Sequence, residues 1–489
     1  MNQSEFNHLQ EQGYNCIPVW RSVLADLDTP LSVYLNLADS HDSFLLESVT
    51  GGEMWGRYSI IGLPCRRRYE YVDGYWREFE YGECITKRKT SDPFKEVEQI
   101  MQAKNAAEVK GLPRLNGGLV CYFGYESVAH IEPKLAAIEN KLDALNLPQI
   151  RLLQADELAV FDNLHGRLYL IVNVDPTEAG AWQRAQRHLD QLQHRLRCGN
   201  SGYALQQRRY ASSKVRYGFA ESDFKQAVQR CKDYITAGDC MQVVLSQRMQ
   251  LDVEMPPLDI YRALRGLNPS PYMYYFDFVD SQVVGASPEV LVRVQDGEAM
   301  LRPIAGTRPR GVDTEADQLL ADELINDPKE CAEHLMLIDL GRNDLGSVAQ
   351  IGSVEVTERM IIERYSHVMH IVSAVKAKLN EGMTALDTLK ATFPAGTLSG
   401  APKVRAMEII AELEPFKRNI YAGAVGWLNW QGDADLAIAI RTGIIQNDCL
   451  HLQAGAGIVA DSDPDLEWQE TLNKGNAVIK AIQQAAKGL

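Results

Sequence analysis

This sequence carries, from residue 302, the segment Arg302-Pro-Ile-Ala-Gly-Thr-Arg-Pro-Arg-Gly311, in which a glycine and a threonine stand between arginines. It is followed by Glu330-Cys-Ala-Glu-His-Leu-Met-Leu-Ile-Asp-Leu-Gly-Arg-Asn-Asp344, whose spacing predicts a helix with Glu330 and Glu333 on one face. A second pair at the same spacing, Glu467 and Glu470, lies near the C-terminal end. Two helices that each present two carboxylates can enclose a divalent cation, and the arginines suit an anionic substrate. The pattern therefore indicates an enzyme.

The two acidic pairs indicate a metal site only because of their surroundings. Carboxylates three residues apart are common on solvated helix faces. Here apolar residues flank both pairs, with Leu335-Met-Leu-Ile338 after the first and Trp468 inside the second. A half-buried acidic pair needs a partner, and magnesium is commonly bound by one or two carboxylates together with waters and substrate oxygens. The residues alone thus predict a metal site at the two pairs.

Length and composition exclude several classes of protein. The chain has 489 residues, and its 45% hydrophobic and 24% charged residues are ordinary for a globular protein of roughly two to four domain-sized units. A net charge of -15 argues against a nucleic-acid partner, which requires a basic surface. The nine cysteines are scattered, without zinc or CxxC spacing, as in a reducing cytosolic environment. Because there is no apolar run of about twenty residues and no apolar leader after Met1, we expect a soluble, cytoplasmic protein without a membrane span.

The hydrophobic pattern divides the chain near residue 205. Residues 1–205 contain short β-like runs separated by Gly and Pro turns. Residues 206–489 mix helices and strands in an uneven order without regular βαβ units, which predicts an α+β fold. The strands predicted there are 241–247, 273–278, 290–294, 423–429 and 451–454, and the helices are 221–237, 317–325, 329–340, 385–391, 403–413 and 465–484.

Three further segments suit an anionic ligand, although each also has an ordinary structural explanation. Gly396-Thr-Leu-Ser-Gly-Ala-Pro-Lys403 precedes a helix, and free N–H groups at a helix start bind carboxylates or phosphates. A plain helix start fits the same spacing. Gln453-Ala-Gly-Ala-Gly457 is predicted to be a tight turn that lets backbone approach a ligand. Arg441 ends the apolar run Leu436-Ala-Ile-Ala-Ile440, from where it either reaches solvent or binds an anion.

Two residues are candidates for proton transfer. His370 carries the side chain that naturally titrates near neutral pH, although a single histidine is more often structural. Glu289 follows Gly285-Ala-Ser-Pro and precedes a predicted strand, where it could act as a general acid if it is desolvated. The sequence contains no zinc motif, no dinucleotide-binding motif and no Gly-x-Cys-x-Gly nucleophile elbow.

Together these segments resemble the family of chorismate-utilising enzymes, and the resemblance covers nearly the whole chain. The motifs that carry it are Leu45-Leu-Glu-Ser48, Gly238-Asp-Cys-Met-Gln-Val-Val-Leu-Ser-Gln247, Asn268-Pro-Ser-Pro-Tyr-Met273, 302–311, Ala332-Glu-His-Leu-Met336, 396–403 and Glu467-Trp-Gln-Glu-Thr-Leu-Asn-Lys474. The resemblance implies a large two-part sandwich of mainly antiparallel sheets flanked by helices. The implied activity is magnesium-dependent conversion of chorismate and ammonia to anthranilate and pyruvate, the first step of tryptophan biosynthesis.

The resemblance also implies roles for individual residues. Magnesium would be held by Glu333 and Glu470, with Glu330 and Glu467 nearby. His370 would act at the ring hydroxyl that leaves, and Glu289 would donate a proton. The contacts to chorismate would come from Gly306, Thr307, Tyr421, Arg441, Gly455, Ala456 and Gly457. A feedback site for tryptophan would fall on Ser48, Pro271, Tyr272 and Met273.

Two positions separate the branches of this family. Water-adding members carry a lysine where this chain has Gln242, so ammonia is the expected nucleophile here. Members that form aminodeoxychorismate usually read Pro-Ile-Lys-Gly-Thr, with a nucleophilic lysine where this chain has Ala305. Because no glutaminase nucleophile is present, a separate glutamine amidotransferase subunit is implied as the source of ammonia. The alternatives are an aminodeoxychorismate synthase component and a catalytically silent subunit that binds tryptophan.

Overall fold

Two antiparallel sheets of twelve strands each form the centre of the computed structural model, which describes residues 1–49, 56–199, 214–365 and 368–488. The inner faces of the sheets pack on each other through large apolar side chains that include Phe44, Tyr122, Tyr274 and Phe276. Helices cover the outer face of each sheet and build two further apolar clusters there. The predicted α+β sandwich is therefore confirmed.

The first sheet contains β1 (Ile17–Leu24), β2 (Ser43–Glu47), β3 (Tyr58–Gly62), β9 (Glu157–Asp162), β10 (Arg167–Val174), β11 (Arg216–Tyr217), β12 (Gln242–Asp252), β13 (Tyr272–Asp277), β14 (Gln282–Ser287), β20 (Gly400–Ala401), β23 (Thr442–Gln446) and β24 (Cys449–Ile458). Their order is β1-β10-β9-β3-β2-β13-β14-β23-β24-β12-β11, with β20 beside β12.

The second sheet contains β4 (Arg67–Val72), β5 (Tyr75–Glu80), β6 (Glu83–Lys89), β7 (Gly118–Phe123), β8 (Ile150–Ala155), β15 (Val290–Gln295), β16 (Glu298–Leu301), β17 (Ile304–Pro309), β18 (Glu355–Arg364), β19 (Val368–Lys378), β21 (Ala424–Asn429) and β22 (Ala434–Ile438). Their order is β17-β19-β16-β15-β22-β21-β7-β8-β4-β5-β6, with β18 beside β19.

The α-helices are Gln3–Glu11, Pro30–Leu37, Pro93–Gln102, Ala181–Cys198, Glu221–Thr236, Pro257–Leu267, Thr314–Asn326, Pro328–Gly346, Ala385–Thr392, Gly396–Ser399, Lys403–Leu413 and Pro464–Lys487. Two 3-10 helices, Tyr125–His130 and Pro133–Asn140, follow β7. Within the described residues, no helix is both long enough and apolar enough to cross a membrane.

Alternation of side chains along β13 shows how the layers form. Met273 and Tyr275 point to the outer face, where helices cover them, whereas Tyr274 and Phe276 lie between the sheets. All four are buried, because a strand between two layers has no solvent face. The strand therefore reads as a continuous apolar run, and its inner face brings residues of both sheets into contact.

The two helices that carry the acidic pairs start in the same way. Asp327 accepts hydrogen bonds from the backbone N–H groups of Lys329 and Glu330, and Pro328 occupies the first turn. Asp463 caps the helix Pro464–Lys487 likewise. An aspartate cap followed by proline fixes a helix start, and the positive end of the helix dipole stabilises carboxylates in the first turn.

Most predicted elements are confirmed, with their ends moved by a few residues. The helix predicted at 329–340 runs from Pro328 to Gly346, and the strand predicted at 451–454 runs from Cys449 to Ile458. The tight turn predicted at 453–457 is wrong, because these residues continue β24 and pair with β12. The predicted boundary near residue 205 lies outside the described residues, and both sheets combine strands from either side of it.

Candidate active site

A bulge between β17 and β19 places His370 at the centre of the candidate site. The register shifts between Ala305 and Arg308, which leaves Gly306 and Thr307 out of the regular pairing. Gly306 has a φ of +64°, which favours glycine, and a Cβ there would crowd Oε2 of Glu330 at 3.1 Å. Nδ1 of His370 lies 2.8 Å from the Gly306 carbonyl oxygen and 3.1 Å from Oγ1 of Thr307. The bulge thus fixes the position of the imidazole ring.

The environment of His370 sets both its tautomer and its charge. A carbonyl oxygen only accepts hydrogen bonds, so Nδ1 carries the proton that is donated to Gly306, and Nε2 of the neutral ring keeps its lone pair. Burial lowers the pKa of His370 below its ordinary value, an effect that the hydrogen bond to the Gly306 carbonyl opposes. His370 is therefore neutral near pH 7 and can accept a hydrogen bond or a proton at Nε2.

Glu289 carries a partly buried carboxyl group that is in position to donate a proton. It directly precedes β15, and its Oε1 accepts a hydrogen bond of 3.0 Å from Oγ1 of Thr397. Burial raises the pKa of Glu289 to about 7, while the Thr397 hydroxyl and the charges of Arg441 and Lys474 oppose the rise. A carboxyl group with such a pKa is half protonated near neutral pH, as a general acid must be.

Arg441 supplies positive charge beside this carboxyl group. Desolvation lowers its pKa, and the charge of Glu289 partly restores it. Among the residues that the structure describes, its guanidinium makes no hydrogen bond or ion pair. A guanidinium that lacks such a partner, next to an acid that is only half ionised near pH 7, is suited to an anion. Of the two possibilities that the sequence leaves open, the geometry favours anion binding.

The glycines of β24 give other side chains room beside the sheet. Gly455 pairs with Ser246, and a Cβ on it would lie 2.7 Å from the hydroxyl oxygen of Tyr421. A Cβ on Gly457 would lie 2.7 Å from Nε2 of Gln242. Lys474 donates a hydrogen bond of 3.0 Å to the Gly455 carbonyl. Small residues are therefore required here by close approach along a strand, not by a turn.

A buried ion pair holds the segment that carries Tyr421. The guanidinium of Arg418 contacts the Glu414 carboxylate at 2.5 Å and donates to the carbonyls of Val244 and Leu398 at 2.7 Å each. Its Cζ lies 5.5 Å from the centre of the Tyr421 ring. Charge-assisted hydrogen bonds in a buried site are strong when all donors are satisfied. Tyr421 is thereby fixed beside Gly455.

The four glutamates of the acidic pairs have unequal partners. Glu333 accepts a hydrogen bond of 3.3 Å from Nε2 of Gln242, and Glu470 forms an ion pair of 2.7 Å with Lys474. Burial and the charge of Glu333 raise the pKa of Glu330. Burial, together with the charge of Glu470, likewise raises the pKa of Glu467 against an opposing hydrogen bond from Ser462. Each pair therefore concentrates negative charge that is incompletely compensated.

These carboxylates fit a magnesium ion that takes further ligands from water and substrate. Oε2 of Glu467 is buried without a hydrogen-bond partner in the described part of the chain, as expected for an atom awaiting a cation or an ordered water. The described residues contain no group of three or more His, Cys, Asp or Glu side chains arranged to hold a metal. Magnesium typically needs only one or two protein carboxylates. The donor set matches that mode of binding.

The four residues predicted to bind a regulator line one cavity. Ser48, Pro271, Tyr272 and Met273 border a space of about 440 Å³ that is lined by residues of both sheets. The facing wall comes from the second sheet and includes Arg293, Trp427 and Asp435. This cavity is large enough for an amino acid with an aromatic side chain.

Sequence reasoning missed several residues of the candidate site. Thr397 and Lys474 lie within motifs that the sequence displays, but their contacts to Glu289 and Gly455 were not predicted. Gln242 was predicted to mark the choice of nucleophile, and its contact with Glu333 was not. Glu414 and Arg418 are four residues apart, a common spacing for an ion pair, and their sequence gives no sign that the pair is buried beside Tyr421. The predicted residues His370, Gly306 and Thr307 are brought together, as are Glu289 with Arg441 and Tyr421 with Gly455.

Comparisons with known proteins give consistent matches. The family described as chorismate binding enzyme matches residues 64–480. Anthranilate synthase component 1 of Pseudomonas aeruginosa is 54% identical over 100% of both chains. The protein of the same name from Aquifex aeolicus is 45% identical over 97% of this chain and 96% of its own.

Solved structures are similar as well. Anthranilate synthase component I from Streptococcus pneumoniae superimposes with a TM-score of 0.77 at 36% identity, covering 94% of this chain and 99% of that one. The menaquinone-specific isochorismate synthase of Escherichia coli gives a TM-score of 0.70 at 20% identity over 98% of each chain. The second likeness concerns the fold alone.

Proposed function

This chain belongs to the family of chorismate-binding enzymes, and we propose that it converts chorismate to anthranilate in the first step of tryptophan synthesis. The observation that carries the proposal is 54% identity over the full length to a protein named anthranilate synthase component 1. In finer detail, we propose ammonia as the nucleophile and pyruvate as the second product. Gln242 and Ala305 support this choice over the water-adding and aminodeoxychorismate-forming branches.

In the proposed reaction, positive charge and hydrogen-bond donors receive the anionic substrate. Arg441 offers a guanidinium that no described residue pairs with, and the hydroxyl groups of Thr307 and Tyr421 lie near His370 and Gly455. Gly306, Ala456 and Gly457 complete the surface through their backbone. Magnesium, when bound at Glu333 and Glu470, would neutralise substrate charge and polarise oxygen atoms. Donors fixed in advance around developing charge lower the barrier.

Proton transfer is divided between Glu289 and His370. Ammonia forms a bond to ring carbon 2, the double bonds shift, and the ring hydroxyl leaves as water with the proton that Glu289 donates. The new ammonium group loses one proton to become the amine, which balances the proton that Glu289 gave up. His370 accepts a hydrogen bond from that hydroxyl at Nε2 and orients it. Loss of the hydrogen on carbon 2 and release of the enolpyruvyl group as pyruvate then give the aromatic product. Near pH 7 about half of the Glu289 carboxyl groups carry the proton to be donated, and His370 is neutral, as its role requires.

The purified chain should produce anthranilate, seen by fluorescence, from chorismate, magnesium and ammonium salt at mildly alkaline pH. Pyruvate should be released in equal amount. Chorismate consumption without pyruvate would establish the aminodeoxychorismate alternative. If the wild-type chain binds tryptophan but consumes no chorismate, even with an added glutamine amidotransferase subunit, it is a silent binding subunit.

We also propose a glutamine amidotransferase as the second component and tryptophan as the feedback inhibitor. The relatives are named component 1, and this sequence contains no glutaminase nucleophile motif. The cavity bordered by Ser48, Pro271, Tyr272 and Met273 supports the regulatory part. An aromatic amino acid would place its ring among apolar side chains and its charged groups near the charged side chains of the facing wall.

Replacement of Ser48 by phenylalanine should weaken inhibition by tryptophan. The added ring would occupy the cavity, so we expect the inhibitory concentration to rise by about 10-fold or more and kcat to change by less than about twofold. Val279→Phe is the matched control, because it adds the same ring at an exposed turn of the neighbouring hairpin. Calorimetry with tryptophan and inhibition curves provide the measurement. Equal inhibition of both variants and wild type would exclude the cavity as the regulatory site.

A further inference from the structure

One half-buried cluster connects the cavity wall of the second sheet with that of the first. Arg293 on β15 and Asp435 on β22 are direct cross-strand partners, and their side chains form an ion pair of 2.6 Å. The hydroxyl of Tyr272, from β13 of the other sheet, donates a hydrogen bond of 2.7 Å to Asp435 and lies 3.4 Å from Arg293. We call these three residues the Asp435 cluster. All three line the cavity.

The strands that carry this cluster end at the catalytic groups. Glu289 is the residue before β15, and its carbonyl accepts a hydrogen bond of 3.0 Å from the N–H of Ile438, the last residue of β22. Arg441 follows three residues later, and its carbonyl accepts a hydrogen bond of 3.2 Å from Ala286. A shift of β15 against β22 therefore moves Glu289 relative to Arg441.

Tyr272 provides a second connection to the same glutamate. It pairs with Ser287 across β13 and β14. The hydroxyl of Ser287 lies 3.3 Å from the backbone N–H of Glu289 and 3.3 Å from its carbonyl oxygen. The backbone of Glu289 is thus held from both sheets. One connection runs along β22 from Asp435 to Ile438, and the other runs from Tyr272 through Ser287.

We propose that Asp435 and Arg293 are positioning residues for Glu289 and Arg441, and that they transmit occupancy of the cavity to the active site. The side chains of Asp435 and Arg293 are only 16% and 24% exposed, so their pairing is weakly screened. An amino acid in the cavity carries an ammonium group that competes for Asp435 and a carboxylate that competes for Arg293. Its binding loosens the pair that fixes β15 on β22. The part that concerns tryptophan rests on the proposed function.

Asp435→Asn tests the positioning role without any inhibitor. We expect kcat/KM for chorismate to fall by about 10- to 100-fold, since small displacements of reacting groups cost that much. Because Glu289 would gain solvent, its pKa should move toward the ordinary value and the alkaline limb of the pH profile should move to lower pH. Asp435→Glu should restore part of both effects. Glu298→Gln, which breaks an exposed ion pair with Lys376 of the same sheet, should leave the profile unchanged.

Inhibition by tryptophan then tests whether the Asp435 cluster transmits occupancy of the cavity to the active site. Tyr272→Phe removes one hydroxyl, so calorimetry should show tryptophan binding within about threefold of wild type, whereas the maximal inhibition should become partial. Full inhibition of this variant, together with an unchanged pH profile of Asp435→Asn, would overturn the inference. If wild type is not inhibited by tryptophan, the regulatory part of the proposed function fails. A fall in kcat/KM and a shifted alkaline limb in Asp435→Asn would in that case still establish the positioning role.

Discussion

Replacement of Glu289 by glutamine is expected to lower kcat by about 10²- to 10⁴-fold, the usual contribution of a general acid. Glutamine has the same shape and can still accept the hydrogen bond from Thr397, which Glu289 receives at 3.0 Å. It cannot donate a proton to the departing hydroxyl. The KM for chorismate should change by only a few-fold, because the substrate is bound mainly by other groups. Steady-state anthranilate formation measures both constants.

The pH dependence gives this prediction a second test. Burial raises the pKa of Glu289 to about 7, so kcat/KM, which reports the free enzyme, should fall as the pH rises through about 7. The pKa of His370 is lowered by burial, so an acidic limb should lie below its ordinary value of 6.5. A bound anionic substrate disfavours ionisation of Glu289, so the alkaline limb of kcat should lie at higher pH than that of kcat/KM.

Thr397→Val is the matched variant for this interpretation. It keeps the carboxyl group of Glu289 and removes the hydroxyl whose hydrogen bond lowers the pKa of Glu289. The alkaline limb should therefore move to higher pH, and kcat should fall by about tenfold at most. An alkaline limb that persists in Glu289→Gln would show that a different group titrates, and Glu289 would then not be the acid.

The fold was largely predictable because its strands and helices have strong local patterns. The helix Lys403–Leu413 was predicted at its observed bounds, and the first glutamate of each acidic pair lies in the first turn of a helix that starts with Asp-Pro. Strand β24 was predicted too short, because glycine has low strand propensity. Its pairing with β12 and the close approach of Tyr421 and Gln242 determine the conformation instead. Such tertiary contacts leave no local pattern in the sequence.

The candidate site was predictable as a set of residues but not as a geometry. Sequence alone left Arg441 with two possible environments, and the structure places its charge near Glu289. Arg441 lies between β22 and β23 and Glu289 between β14 and β15, so both residues lie where the chain passes from one sheet to the other. The contact of Thr397 with Glu289 joins residues 108 positions apart. The hydrogen bonds from the backbone of Arg418 and Asn419 to Glu126 span even longer separations. Which of many polar residues meet in the interior depends on sheet order, which periodicity does not specify.

Replacement of Glu333 or Glu470 by glutamine should lower the activity without lowering the stability of the fold. Either change removes a carboxylate proposed to hold magnesium, so activity at millimolar magnesium should fall by about 10²-fold or more, as several kcal/mol of transition-state stabilisation are lost. The folded protein should nevertheless be as stable as wild type or slightly more stable. The reason is that the charge of Glu333 raises the pKa of Glu330 and the charge of Glu470 raises the pKa of Glu467. The two carboxylates of each pair therefore repel each other.

A control and a direct binding measurement complete this test. Glu412→Gln removes a half-exposed glutamate that forms an ion pair of 3.0 Å with Arg230, and such pairs contribute about 0–1 kcal/mol to the free energy of unfolding. It should match wild type in activity and magnesium dependence. Calorimetric titration of magnesium into the chorismate complex should show weakened binding only in the Glu333 and Glu470 variants. Unchanged magnesium affinity and full activity in both variants would mean that neither carboxylate holds the ion.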